Sequence, residues 1–143
     1  MASFNKINDF VEDLSNGVHN FDSDTFKYAL SNTAPASETS DPSADGNGIL
    51  ANVTEVAYTN LAEDRTISTT AGSLSSGTLS FDGDNEVLTA SGGSVGPFRY
   101  VYLYDDTATG DPLIGYWDYG SSITLADGET LSLNIATVFL TIA

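Results

Sequence analysis

Short runs of alternating apolar and polar residues, separated by turn signals, fill most of this chain after about Thr25. Alternation with a period of two is typical of half-buried strands, and strands spaced about ten residues apart favour an antiparallel sandwich or barrel. No helical pattern lies between them, which argues against a parallel α/β sheet. We predict strands at residues 25–31, 65–70, 77–81, 86–90, 98–104, 113–118, 122–125, 130–135 and 138–142.

Apolar residues near the start of the chain recur at steps of three and four, which places them on one face of a helix. These residues are Phe4, Ile7, Phe10, Val11 and Leu14. Ser3 fits the N-cap and Gly17 fits the stop. So short a helix needs a surface to lie on, either its own β-domain or a neighbouring subunit.

The chain has 143 residues, the length of one ordinary domain. We therefore expect a mainly β single domain over residues 1–143, an antiparallel β-sandwich or barrel with one N-terminal α-helix. The helix and its turn occupy residues 1–20, and the β-domain occupies residues 21–143. Residues 31–52 are rich in Pro, Gly, Ser and Asp, which predicts a long loop.

The balance of charge excludes several kinds of partner. Twenty acidic residues against 4 basic residues give a formal net charge of −16. Such a surface repels phosphate, so we expect no nucleic-acid partner and no anionic membrane partner. The chain has no cysteine, which excludes disulfides and thiolate metal sites. Neither a signal peptide nor a membrane span is visible, and we expect synthesis in a cytoplasm.

Three patterns could carry chemistry, and each has a simpler explanation. Adjacent acids such as Asp105 and Asp106 could serve a glycosidase, but adjacent pairs arise by chance among so many acids. Residues 41–46 follow the first half of an EF-hand loop, yet Asn52 stands where a bidentate carboxylate is needed. Residues 82–84 also alternate acids, at a predicted hairpin turn. We predict no metal, no cofactor and no catalytic residue.

His19 is the sole histidine, so any Ser-His-Asp triad would have to use it. No Gly-x-Ser-x-Gly elbow accompanies it, and one histidine cannot build a three-histidine zinc site. We expect a partly exposed histidine near the helix end. The glycines of residues 91–97 are followed by a proline and a strand pattern, and therefore predict a turn rather than a phosphate-binding loop.

Large aromatic residues give the strongest local signal. In the 98–104 strand, alternation places Phe98, Tyr100, Tyr102 and Tyr104 on one face. The opposite face carries Arg99, Val101 and Leu103, so this strand is expected to be covered on both sides. Tyr116, Trp117 and Tyr119 follow nearby. Such rings suit a core, a subunit interface or a sugar-stacking platform, and the residues alone leave these three open.

Two blocks of the sequence resemble a family of short structural proteins of tailed bacteriophages. The first block runs from Phe4-Asn5-Lys6 to Asn32-Thr33-Ala34-Pro35, with a Gly-Val-His turn and a Ser-Asp-Thr-x-Lys strand between. The second block covers residues 88–100 and continues through 111–120 to 125–130. The two blocks cover more than half of the chain, and residues 36–81 do not match firmly.

These relatives are similar to capsid decoration (cement) proteins. The resemblance implies a non-enzymatic virion protein on the outer surface of an icosahedral phage head, where it stabilises the shell. Its expected partners are the major capsid protein and further copies of itself, as a homotrimer or a dimer. The alternative is a carbohydrate- or receptor-binding module of a head fibre or tail, with Trp117 and the tyrosines as stacking surfaces.

For the interface of such a protein, the residues point to the N-terminal helix face, the aromatic strand and the single tryptophan. The predicted contact residues are Phe4, Ile7, Phe10, Phe98, Tyr100, Tyr102 and Trp117. The loop at about 31–52 is a second expected contact.

Overall fold

The structure is a computed structural model that describes residues 3–35, 48–135 and 138–143. It is mainly β, with antiparallel sheets and one α-helix, which confirms the predicted fold class. In chain order the elements are β1 Phe4–Lys6, α1 Asp9–Ser15, β2 Phe26–Ser31, β3 Thr66–Ile67, β4 Thr69–Ser75, β5 Thr78–Gly83, β6 Glu86–Thr89, β7 Val95–Asp105, β8 Leu113–Leu125, β9 Thr130–Leu133 and β10 Leu140–Ile142.

The central sheet has the strand order β1-β8-β7-β2-β3, and its two longest strands, β7 and β8, form its middle. Both faces of β7 are buried, because alternate side chains enter two separate apolar clusters. Val101 and Leu103 enter the larger cluster, whereas Tyr100 and Tyr102 enter the smaller one. The prediction that this strand is covered on both sides is confirmed.

Phe98 does not share the face of the three tyrosines, contrary to the alternation. It packs in the larger cluster with Val101 and Leu103. The cause is an irregularity between Phe98 and Tyr100 in the pairing of β7 with β8. Such a bulge moves the following side chains to the other face.

Two small sheets cover the larger cluster, which gives a sandwich-like arrangement. Their orders are β10-β5-β4 and β6-β9. Phe81 of β5, Leu88 of β6 and Leu140 of β10 are buried against the central sheet. The opposite face is covered by Ile7 and by Leu50, which lies in a short 3-10 helix. That 3-10 helix occupies Leu50–Asn52.

The N-terminal helix is shorter than predicted, and the segment before it is a strand. Phe4 lies in β1, where it pairs opposite Trp117, and α1 begins only at Asp9. The apolar positions still serve the core, since Ile7 and Phe10 are buried. Val11 is exposed, so the predicted apolar face is divided between a strand, a connecting segment and one side of a two-turn helix.

One predicted break between strands and one predicted hairpin turn are wrong, and two further predictions lie wholly or mostly outside the described residues. The predicted strands 113–118 and 122–125 form one strand, β8. Residues 82–84 do not close a hairpin, because β5 pairs with β4 and β6 pairs with β9. Residues 41–46, the EF-hand-like segment, and most of the loop predicted at 31–52 lie outside the described residues.

Gly115 provides a test of how β1 is attached to the central sheet. A Cβ at this position would collide with the Phe4 ring and lie 2.6 Å from the Asn5 carbonyl oxygen. We expect Gly115→Ala to lower the free energy of unfolding by about 1–3 kcal/mol, the usual cost of overpacking. Chemical denaturation measures this, and the emission of Trp117, the only tryptophan, should shift to longer wavelength as Phe4 withdraws.

Gly83→Ala is the matched control, since its nearest neighbour is the Ser68 carbonyl oxygen at 3.1 Å and a smaller shift suffices. We expect a smaller loss of stability and unchanged emission. A Gly115→Ala protein as stable as the parent, with unchanged emission, would contradict the close approach of β1 to β8.

Candidate functional site

Three aromatic rings pack together beside the end of β1. The Phe4 and Trp117 ring centroids lie 4.8 Å apart, Phe4 and Phe139 5.2 Å apart, and Trp117 and Phe139 6.0 Å apart. The tilted and edge-on arrangements are those that aromatic pairs prefer. All three residues are half-buried, so the cluster fixes Trp117 while leaving part of it accessible.

A groove of about 360 Å³ lies against this cluster, between β7, β8 and β9. Its volume is within the range of about 300–1,000 Å³ that is usual for ligand pockets. The lining residues are Phe98, Val101, Trp117, Tyr119, Leu131, Ser132, Leu133, Asn134 and Ile135. The lining is mostly apolar, with a hydroxyl and an amide beside two amphipathic rings, a composition suited to recognition.

An irregular stretch of β8 carries Tyr119 to the rim of the groove. Phe98 pairs with Ile123 and Tyr100 pairs with Asp118, so residues 119–122 of β8 lie opposite Arg99 alone. Gly120 has φ of 91°, a backbone conformation that glycine adopts readily. Tyr119 is 54% exposed as a result. Bulges commonly redirect a side chain in this way next to functional sites.

Side-chain hydrogen bonds hold this stretch in place. Arg99 donates two hydrogen bonds to Asp118, Nε to Oδ1 at 2.7 Å and Nη2 to Oδ2 at 2.8 Å. Asp118 Oδ1 also accepts from the Gly120 N–H at 2.7 Å. The hydrogen bond from Arg99 lowers the pKa of Asp118 below its ordinary value. The two hydrogen bonds from Arg99 and the hydrogen bond from the Gly120 N–H therefore fix the backbone around Asp118, between Trp117 and Tyr119.

A second brace lies at the far end of the same stretch. Ser122 Oγ donates to Asn32 Oδ1 at 3.0 Å, and Asn32 Nδ2 donates to the Pro97 carbonyl at 3.0 Å. The exposed Tyr119 is thus presented by a backbone anchored at both ends. Such support from a second layer of hydrogen bonds preorganises a binding surface.

The predicted contact residues divide into two groups. Phe4 and Trp117 are together in the aromatic cluster and are partly accessible. The other five are buried within this chain, so their side chains contact the protein's own core: Ile7, Phe10, Phe98, Tyr100 and Tyr102. Tyr119 is not among the predicted contact residues, because the sequence pattern predicts a break between two strands at this point rather than a bulge within one strand.

His19 is buried, which corrects the prediction of a partly exposed histidine. His19 Nδ1 lies 3.0 Å from Asp105 Oδ2, and neither side chain has solvent-accessible surface. Asp105 Oδ1 accepts hydrogen bonds from the backbone N–H groups of Thr107 and Ala108. The pair joins the segment after α1 to the turn after β7. Because both side chains are fully buried, the His19–Asp105 pair contributes to the packing of these two segments.

The adjacent acids singled out from the sequence diverge in the structure. Asp105 contacts His19, whereas Asp106 forms an ion pair with Lys27 at 2.8 Å. Glu63, the first residue of another adjacent pair with Asp64, accepts a hydrogen bond at Oε2 from the Thr89 N–H at 2.7 Å. Within residues 3–35, 48–135 and 138–143, no group of three or more histidine or acidic side chains is arranged to hold a metal ion.

The Asp118 carboxylate provides a pH test of the brace. Because Arg99 lowers its folded-state pKa, the pair stabilises the fold above the unfolded pKa of about 3.9 and loses this effect as pH falls through the lower folded value. We expect the Gly120 amide resonance, followed by two-dimensional NMR, to titrate with a midpoint below about 3.9.

Two variants separate the causes of this titration. Asp118→Asn should abolish it, and Arg99→Gln should move the midpoint upward toward the ordinary value. A midpoint at or above about 3.9 in the parent protein would mean that Arg99 does not hold Asp118 as described.

Comparisons with protein-family models, with curated proteins and with solved structures find no match for this chain. In the part of the chain that the structure describes, no helix is both long and apolar enough to cross a bilayer.

Proposed function

We propose that this chain is a non-enzymatic structural protein of a tailed-phage head, a decoration protein that binds the outer surface of the capsid. The observation that carries the proposal is the braced aromatic groove, with Trp117 in its wall and Tyr119 at its rim. Tyrosine and tryptophan dominate binding energies in protein interfaces, and rigid presentation reduces the entropy lost on binding. The groove is the surface offered to the major capsid protein.

The charge of the chain supports a position on the outside of the head. A net charge of −16 disfavours contact with packaged DNA on the inner wall. On the outer surface the same charge repels other polyanions and favours partners with basic patches. A protein that binds the assembled shell and not the free subunits stabilises the shell by mass action.

The resemblance to phage structural proteins also supports the proposal, because its two blocks meet in space. Residues 4–35 supply β1, α1 and β2, and residues 88–100, 111–120 and 125–130 supply parts of β7 and β8. All the strands of the central sheet except β3 thus contain resembling residues. The segment without firm resemblance, 36–81, contributes β3, β4 and most of β5. The resembling parts therefore build the wall of the groove formed by β7 and β8.

Self-association fits the same role. Copies arranged as trimers suit three-fold and quasi-three-fold positions of an icosahedral shell, and dimers suit two-fold positions. In either arrangement several grooves engage the shell at once, which multiplies the affinity without any new kind of contact.

Tyr119 offers the sharpest test, because it is exposed and its removal leaves the core intact. We expect Tyr119→Ala to weaken binding to undecorated capsids by about 10- to 100-fold, as for an interface hot spot. Co-sedimentation gives the affinity, and cryo-EM of saturated heads shows the occupied positions.

Val87→Ala is the control, since Val87 is a similarly exposed residue of β6 outside the groove lining. It should bind capsids like the parent. Heads without added density at saturating protein would argue decisively against decoration.

The chemistry of the groove also favours a second candidate, a carbohydrate-binding module. Trp117 and Tyr119 offer aromatic faces, and Ser132 and Asn134 offer a hydroxyl and an amide for sugar hydroxyls. Because the acidic surface repels anionic glycans, neutral glycans are the expected ligands of such a module.

Fluorescence of the sole tryptophan tests this alternative directly, because Trp117 lines the groove. Neutral oligosaccharides selected on a glycan array should change its emission in a saturable way if the module binds sugars. Binding that is selective on the array and absent in Trp117→Ala would favour the alternative over decoration. Array binding that survives in both Trp117→Ala and Tyr119→Ala would place the sugar site elsewhere.

A further inference from the structure

The sheet β10-β5-β4 is almost free of charge, although the chain is strongly acidic. No residue from Thr66 to Phe81 has an ionisable side chain, and β10 has none either. Asp82 is the single ionisable residue in the three strands. This sheet therefore forms a neutral area on a protein whose net charge is −16.

Both β10 and β4 are edge strands of this neutral sheet in the described part of the chain, and β4 is the longer of the two. The order β10-β5-β4 places β4 at the edge, and its only strand partner there is β5. The pairing shifts between Thr70 and Ser73 and is regular again from Ser73 to Ser75. A free edge presents backbone N–H and C=O groups to another strand. Proteins usually protect such edges with charged residues, and β4 has none.

An apolar row leads from the core to this edge. Leu74 pairs opposite Leu79, and Leu79 pairs opposite Ile142, so the three side chains are neighbours on one face of the sheet. Leu79 and Ile142 are partly buried against the core, whereas Leu74 at the edge is 72% exposed. The row thus ends in the most exposed large apolar side chain of the described residues.

We propose that the free edge of β4 is a self-association surface, where it pairs in antiparallel fashion with β4 of a second copy of this chain. The occupant follows from charge. A basic partner is attracted most strongly to the acidic surfaces. Two copies of this chain, each with a net charge of −16, repel one another least where both surfaces are neutral. Pairing at this edge brings the copies together at their least charged elements and covers Leu74.

Pairing of one edge with the same edge of another copy is two-fold symmetric. The inference therefore selects a dimer between the two arrangements considered above, and in this respect it rests on the proposed function. Its test uses the isolated protein in solution, without capsids, so the two proposals can fail separately.

Light scattering during size exclusion and sedimentation equilibrium measure the association. We expect the parent chain to form a dimer and Leu74→Asp to raise its dissociation constant about tenfold or more, because each copy then brings a buried carboxylate to the paired edge in place of an apolar side chain. Val87→Asp is the matched control: it adds the same charge at an exposed valine of β6 and should leave association unchanged.

Cross-linking provides a second measurement that does not depend on affinity. The chain has no cysteine, so Leu74→Cys introduces a single thiol, and Val87→Cys introduces one elsewhere. A short bis-maleimide should link Leu74→Cys chains into covalent dimers and leave Val87→Cys chains largely unlinked. A monomeric or trimeric parent, association of Leu74→Asp equal to that of the parent, or equal cross-linking of both cysteine variants would overturn the inference.

Capsid binding separates the two proposals. Leu74→Asp that binds capsids more weakly only through loss of dimers leaves decoration intact. If the parent forms dimers that Leu74→Asp weakens, but the parent does not bind capsids, the assignment of the β4 edge stands and the decoration proposal is wrong.

Discussion

The pairing of β7 with β8 is the constraint on which the rest of the structure depends. β7 contributes side chains to both apolar clusters, and β8 carries β1 on its other edge. Where the two strands lose their regular register, β8 gains the stretch that projects Tyr119. The regularly paired part of β7 and β8 therefore contributes to the core, and the irregular part forms a wall of the groove. Arg99 and Asp118, one from each strand, hold the two parts together.

Periodicity predicted most of this architecture because burial of alternate residues is a local property of a strand. It predicted most of the strands and the two covered faces of β7, and it failed where the pairing of strands determines the register. The side assigned to Phe98 was wrong because the irregularity at Phe98–Tyr100 depends on β8. The His19–Asp105 contact joins residues far apart in sequence, so no local sequence pattern predicts it. Phe4 fits a helical spacing, but pairing opposite Trp117 determines its conformation.

The few basic residues mostly serve the fold rather than balance the charge. Three of the 4 are in ion pairs, Lys27 with Asp106, Arg65 with Glu55, and Arg99 with Asp118. Arg65 also donates to the Tyr28 carbonyl and lies 4.1 Å from the centroid of the Tyr58 ring. Burial raises the pKa of Tyr104 near the same guanidinium to about 12, so this hydroxyl stays neutral at physiological pH. The remaining acids leave the protein strongly anionic.

A strongly anionic protein associates with its own copies most readily where its charge is absent, and this chain has two areas with few charges, the groove and the β10-β5-β4 sheet. Phe139 connects them: its ring packs on Phe4 and Trp117, and its N–H donates to the Phe81 carbonyl of β5. The groove is amphipathic and braced, which suits recognition of a different surface, whereas the β4 edge is neutral and open, which suits a like copy. Phe139 precedes β10, and β10 and β4 are opposite edges of the sheet, so a copy bound at β4 and a partner bound in the groove would contact different sides of it. A pair of chains joined at the edge would then present two grooves in a fixed relation, and the second groove would bind a repeating shell at a high effective concentration.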